Sequence, residues 1–151
     1  MPDVICNSSC LIALDNIERI DLLRSLYGQI VITEEVYQEF GKTVDAWIVI
    51  KHVANRAQLA VLEMTVDLGE ASTIALALEM PGTLMILDDL KARKLATHLH
   101  LPFTGLLGML VKAKQQGILA SVRAVITQLQ TVNFRISADM EREILRLAHE
   151  E

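Results

Sequence analysis

The chain has 151 residues, one domain's worth, and 52% of them are apolar while only 4% are aromatic. A core of Leu, Ile, Val, Ala and Met suits a layered helix-and-sheet domain, and a charged fraction of 22% excludes a disordered chain. The net charge of −5 argues against a surface built to wrap duplex nucleic acid, although bound cations would reverse the field inside an acidic pocket.

Taken in order, Val4 to Cys6 reads as a short strand, with Asn7-Ser8-Ser9 placed to cap a helix through Leu11, Ile12 and Leu14. A second helix is expected from Ile17 to Tyr27, ended by Gly28. Ile30-Val31-Ile32 is a second strand, and Thr33 caps a helix that carries Val36, Tyr37 and Phe40 on one face. Trp47 to Val53 alternates loosely, as a minor strand would, and Asn55 to Glu63 reads as helical. Asp67 starts a strong helix that runs to Met80 and stops at Pro81-Gly82. Thr83 to Leu87 is an apolar run closed by Asp88-Asp89. Helix, short strand and helix follow over Lys91–His98, Leu101–Thr104 and Gly105–Gln116, and two more helices cover Val122–Leu129 and Ser137–His149.

Short strands that are apolar throughout and alternate with helices mark a parallel sheet covered on both faces. The stretch from Leu95 to Val111 lacks Asp, Glu, Lys and Arg, but its Pro and Gly residues fit helix–strand–helix and not a membrane span. Cys6 and Cys10 are too few for a disulfide scaffold and read as reduced core thiols. The opening Met-Pro-Asp-Val-Ile-Cys-Asn lacks the basic start of a signal peptide, so a cytoplasmic protein is expected.

In an open parallel sheet, ligands gather beyond the carboxyl ends of the strands. Asn7-Ser8-Ser9 and Asp88-Asp89 fall there, and Glu35, Glu39 and Glu70 lie on helices that could join them. Each has an ordinary structural use. Asp88 or Asp89 can cap the helix near Leu90, Asp67 and Glu70 have capping-box spacing, Asn7 can cap or turn, and Glu39 can face solvent. Their convergence on one sheet edge carries more weight than any one of them. Several carboxylates in one pocket repel one another unless a hard cation compensates, and Mg²⁺ or Mn²⁺ takes oxygen ligands. Such an ion can polarise a phosphodiester and activate water at neutral pH. Lys91, Arg93 and Lys94, with Lys112 and Lys114, could hold substrate phosphates at the rim or form a solvated helix face. His98 and His100 read as local structure, which leaves little for a zinc site.

Asn7 to Leu14, Val31 to Phe40, Asp67 to Ala77, Leu87 to Arg93, and Phe103 to Gly108 running on to Gly117 are five segments that in this order resemble the PIN-domain family, including its bacterial VapC-like toxins. The resemblance implies a three-layer α/β/α fold with a central, mainly parallel sheet over residues 1–151, with 121–151 as a C-terminal helical extension. It further implies a Mg²⁺- or Mn²⁺-dependent endoribonuclease, with Glu39, Glu70 and Asp88 or Asp89 (the sequence does not decide which) as metal ligands and Asn7 as a neutral ligand. Ser9 would orient the first loop, and Ser9, Lys91 and Arg93 would meet the RNA substrate. Many small bacterial members are toxins silenced by an antitoxin protein, and many are homodimers.

Asn7 stands where the family usually has Asp. The amide keeps an oxygen but loses the charge that hard cations prefer. A catalytically silent module that binds RNA or a protein partner is therefore the alternative reading.

Overall fold

A computed structural model describes residues 3–151; Met1 and Pro2 of the opening segment lie outside the described residues. Five strands, β1 (Val4–Cys6), β2 (Ile30–Thr33), β3 (Ile48–Lys51), β4 (Leu84–Ile86) and β5 (Phe103–Thr104), form one sheet in the order β3-β2-β1-β4-β5. Every pairing is parallel, with Ile5 opposite Val31 and Met85, and Ile86 opposite Cys6 and Thr104. The loosely alternating segment after Trp47 is thus an edge strand of the sheet.

The helices are α1 (Ser8–Asn16), α2 (Asp21–Tyr27), α3 (Glu34–Phe40), α4 (Arg56–Leu62), α5 (Leu68–Glu79), α6 (Leu90–His98), α7 (Leu106–Gln115), α8 (Val122–Thr131) and α9 (Ala138–Leu147). The helix expected from Ile17 begins four residues later, at Asp21. Glu18 takes a left-handed conformation (φ 58°), and the Arg19 N–H donates to the Leu14 carbonyl at 2.8 Å, closing α1 before α2 can start.

Successive strand residues point to opposite faces, and this period of two divides the core. Val4, Cys6, Ile30, Ile32 and Ile86 pack with α1, α2, α7, α8 and α9 on one side. Ile5, Val31, Met85 and Leu87 pack with α4, α5 and α6 on the other. The sequence pattern therefore produces the three-layer α/β/α arrangement that was expected. The two C-terminal helices close the first layer with Val125, Ile126, Leu129, Ile144 and Leu145, all buried. Cys6 and Cys10 are buried free thiols. No helix among the described residues is long and apolar enough to cross a membrane.

Strand order runs one way from β1 through β2 to β3, and the other way from β1 through β4 to β5. The reversal lies between β1 and β4, and the crevice at their carboxyl ends is where a sheet of this kind presents a ligand site.

Candidate active site at the carboxyl edge of the sheet

Asn7 and Asp88 flank that crevice. The Asn7 N–H extends the β1–β4 ladder by donating to the Ile86 carbonyl at 3.1 Å, which fixes where α1 starts. The Asn7 side chain is buried, and its Oδ1 caps α1 by accepting the Ser8 N–H at 2.8 Å. Ser8, not Ser9, reaches across the site: its hydroxyl donates to Glu39 Oε1 at 3.4 Å. Ser9, expected to orient this loop, is one position further round the helix and its side chain faces solvent.

Glu39 is brought in by the packing of α3 on α5. Thr33 caps α3 by accepting the Val36 N–H at 3.0 Å, and its hydroxyl is hydrogen-bonded to Ser72 of α5 at 2.7 Å. Ser72 in turn donates to the Gly69 carbonyl at 2.8 Å. This buried chain of bonds sets the two helices so close that a Cβ at Gly69 would fall 1.8 Å from Glu39 Oε1. Glu35, four residues earlier on the same helix, is not part of the site; it pairs with Arg56 at 3.0 Å and joins α3 to α4.

Glu70 and Asp67 form the capping box that their spacing predicts: the Glu70 N–H donates to Asp67 Oδ1 at 2.9 Å, and Glu70 Oε1 receives the Asp67 N–H at 3.4 Å. Asp89 caps α6 by accepting the Ala92 N–H at 3.0 Å. These structural uses do not remove the residues from the cluster. Burial pushes the Glu70 carboxyl up to about 7, and the Asp67 and Asp89 carboxylates add to the shift. Burial also raises Glu39, with Asp67 adding and the Ser8 hydroxyl opposing. Asp67, legible in the sequence only as a cap, is thus the charge common to both glutamates. Among the described residues none of Glu39, Asp67, Glu70 and Asp89 forms a salt bridge.

Asp88 is held differently. It accepts the Leu106 N–H at 3.2 Å and lies 3.6 Å from the Arg93 guanidinium. Burial raises its carboxyl, and those two partners pull the other way. Gly105 makes room for this arrangement; a Cβ there would meet Arg93 Nη2 at 2.1 Å and Asp88 Oδ1 at 2.6 Å. Arg93 is anchored further by donating from Nε to the Leu87 carbonyl at 2.6 Å and by lying 5.2 Å from the Phe103 ring centroid.

The other basic residues are placed elsewhere. Lys91 and Lys94 are exposed beside Met64 and His98 on the outer face of α6. Lys112 sits over the Tyr27 ring, and Lys114 pairs with Glu150. Of the rim cations the sequence offers, only Arg93 shares a cavity with Asp88.

Among the described residues, no three His, Cys, Asp or Glu side chains are arranged as a ready-made metal cage. The donor set nevertheless suits a hard cation. Its candidate ligands are all carboxylate or amide oxygens, and two of the carboxylates, Glu39 and Glu70, carry repulsion with no countercharge.

A family model of PIN domains, DUF3368, matches residues 3–150. No curated protein and no solved structure matches the chain. With that match spanning nearly all of its length, and with the parallel sheet and site edge described above, the chain belongs to the PIN-domain family.

Proposed function

We propose that the chain is a metal-dependent endoribonuclease whose Mg²⁺ or Mn²⁺ is held by Glu39, Glu70, Asp88 and Asp89, with Asn7 as a neutral oxygen beside them. The observation that carries this reading is that Asp67 repels both Glu39 and Glu70, and Asp89 repels Glu70, while among the described residues none of these four carboxylates has a salt-bridge partner; of the proposed ligands Asp88 alone is offset, by Arg93. A purely structural cluster gains nothing from such repulsion, whereas a cation site requires it. When bound, the ion supplies Lewis-acid polarisation of a phosphodiester and lowers the pKa of water.

The residues of the chain have separable tasks. Glu70, whose carboxyl burial pushes up to about 7 in the metal-free protein, must give up its proton to ligate. Ser8 holds the Glu39 carboxylate in place. The Leu106 N–H and Arg93 fix Asp88 and offset its charge where an anionic substrate would approach. The family reading extends to a toxin kept silent by an antitoxin protein and to a cytoplasmic homodimer. Co-purification with the product of a neighbouring gene and solution mass measurements test those two extensions.

The direct test is calorimetric titration of Mn²⁺ and Mg²⁺ into the protein and into Glu70→Gln, with RNA cleavage assayed in parallel. Saturable binding and cleavage that both fail in Glu70→Gln support the assignment. Cleavage that persists in Glu70→Gln and in Asp88→Ala ends it.

Asn7 supports a second reading, a silent PIN-like module that binds RNA or a protein partner. Its oxygen is uncharged and already accepts the Ser8 N–H. Metal-dependent cleavage that appears only in Asn7→Asp would favour this reading, and cleavage by the unaltered chain would eliminate it.

A further inference from the structure

A cavity opens beside the candidate site, between Asp88 and the C-terminal helices. It has a volume of about 520 Å³, within the roughly 300–1,000 Å³ typical of small-ligand pockets. One wall comes from the sheet edge, with Asp88, Arg93 and Phe103; the other comes from the connection between α8 and α9, with Phe134 and Arg135, and from the first turn of α9, with Met140. Asp88, at the margin of the acidic centre, and the C-terminal helices therefore share one groove.

The outer wall is set by how α8 ends. Asn133 takes a left-handed conformation (φ 67°), and the Phe134 N–H donates to the Leu129 carbonyl at 3.1 Å. The chain turns back sharply, so half-buried Phe134 packs against the core while lining the groove. The next residue, Arg135, is exposed. Among the described residues it makes no salt bridge, whereas Arg93 on the opposite wall is held by Asp88, the Leu87 carbonyl and the Phe103 ring. The groove thus combines a carboxylate end, one committed guanidinium, one uncommitted guanidinium and two aromatic rings, Phe103 and Phe134.

We infer that this groove binds one unpaired nucleotide of a single-stranded RNA, with Arg135 on the phosphate and Phe134 as the stacking surface for the base. The inference rests on the ribonuclease reading for the identity of the polymer and adds to it a substrate subsite on the C-terminal extension. Unpaired bases are the ones that can stack on aromatic side chains, and a guanidinium matches a phosphate bidentately. A paired base in a duplex cannot enter a recess of this size without being unstacked. Arg93, already neutralised by Asp88, contributes position rather than charge.

The test is fluorescence anisotropy with a short labelled single-stranded RNA, in EDTA so that no cleavage occurs, on the full chain and on Arg135→Ala, Arg135→Lys and Phe134→Leu. Arg142→Ala, an exposed α9 arginine outside the groove, is the control. Arg135→Ala and Phe134→Leu are expected to weaken binding about tenfold, and Arg135→Lys to recover part of the loss. Arg135→Ala should also reduce the slope of log affinity against log salt by about 0.7, a change that loss of packing would not produce. The same RNA annealed to its complement should bind more weakly than the single strand. Equal affinities for the wild type, Arg135→Ala and Phe134→Leu would overturn the inference and leave the groove to a protein partner. So would the absence of single-strand binding. Arg135-dependent binding in a protein that never cleaves RNA would uphold the groove and reject the nuclease reading instead. Cleavage lost in Glu70→Gln with Arg135→Ala binding unchanged would do the reverse.

Discussion

Two glutamates, one mid-chain and one at the C-terminal end, both lie at helix N-termini, and their environments drive them apart. Glu70, in the first turn of α5, is buried next to Asp67 and Asp89 and is pushed up to about 7. Glu150 docks on the start of α8, where it accepts the Val122 N–H (2.7 Å), the Arg123 N–H (3.1 Å), the Ser121 hydroxyl (3.2 Å) and Lys114 Nζ (3.0 Å). Burial there would raise its carboxyl, but those donors outweigh burial and bring it to about 2. A helix terminus favours negative charge in both places. The number of competing carboxylates decides the outcome. Glu150 has its donors to itself and serves as a latch tying the end of the chain to the start of α8. Glu70 shares its space with other anions, an arrangement that stability alone would not favour.

The sharpest way to break this contrast is Glu70→Gln. If Glu70 is a ligand, cleavage should fall by roughly 10²–10³-fold, the loss of a few kcal/mol of transition-state stabilisation. Without metal, the same substitution should stabilise the fold at alkaline pH. Below about 4.5 the group is protonated in both folded and unfolded chains; between 4.5 and 7 the unfolded chain releases its proton first, so stability falls as pH rises, and the full cost is present above about 7. Urea denaturation of metal-free protein at pH 8 should show Glu70→Gln more stable by on the order of 1–3 kcal/mol. A destabilised Glu70→Gln would mean the capping box dominates and the residue is structural.

Glu150→Ala should behave in the opposite sense. Leaving the α8 N–H groups and Lys114 without their acceptor should cost on the order of 2–3 kcal/mol. The stabilisation is complete above about pH 4.5 and is lost as pH falls toward 2, so the difference between Glu150→Ala and the parent should shrink under acid. Equal midpoints for parent and variant in urea at pH 7 would remove Glu150 from the comparison.

How far each region could be read from sequence follows from the range of its interactions. Asp88 and Asp89 lie at a strand–helix junction and Asp67 and Glu70 at the start of a helix, where periodicity and capping chemistry reveal them, and the capping box of Asp67 and Glu70 spans three residues. Asp67 acting on Glu39 could not be read, because it depends on α3 packing against α5 through Thr33 and Ser72, 39 residues apart. Ser8 and Ser9 are adjacent and chemically identical, and only the start of α1 decides which one faces Glu39. The Glu150 latch links residues 28 apart to the start of α8, and Arg135 enters the groove only because α8 turns back at Asn133. Neither has a local signature.

Asn7→Asp sharpens the comparison by adding one more negative charge near the crowded end. Metal-free protein should lose stability at pH 8, because another carboxylate would join Glu39 and Glu70 without a countercharge. Cation affinity should rise by about tenfold, since hard cations bind more tightly as the ligand charge increases. Calorimetry reads the second effect and urea denaturation the first. Both should be present together. A rise in stability without a gain in affinity would mean that the new carboxylate acts only as a better cap for α1.

The smallest expected effect, from Gly69→Ala, isolates position from charge. The new Cβ would fall 1.8 Å from Glu39 Oε1 and 2.8 Å from its Cδ, so the end of the Glu39 side chain must swing away. That end is flexible, and alanine favours a helix over glycine by about 1 kcal/mol, so the fold should change little or gain slightly. No charge is added or removed. If Glu39 is a ligand, cation affinity should nevertheless fall several-fold, because its carboxylate can no longer rest over the α5 N-terminus beside Asp67 and Glu70. Unchanged affinity in a well-folded Gly69→Ala would place Glu39 outside the ion's coordination and leave Glu70, Asp88 and Asp89 to hold it.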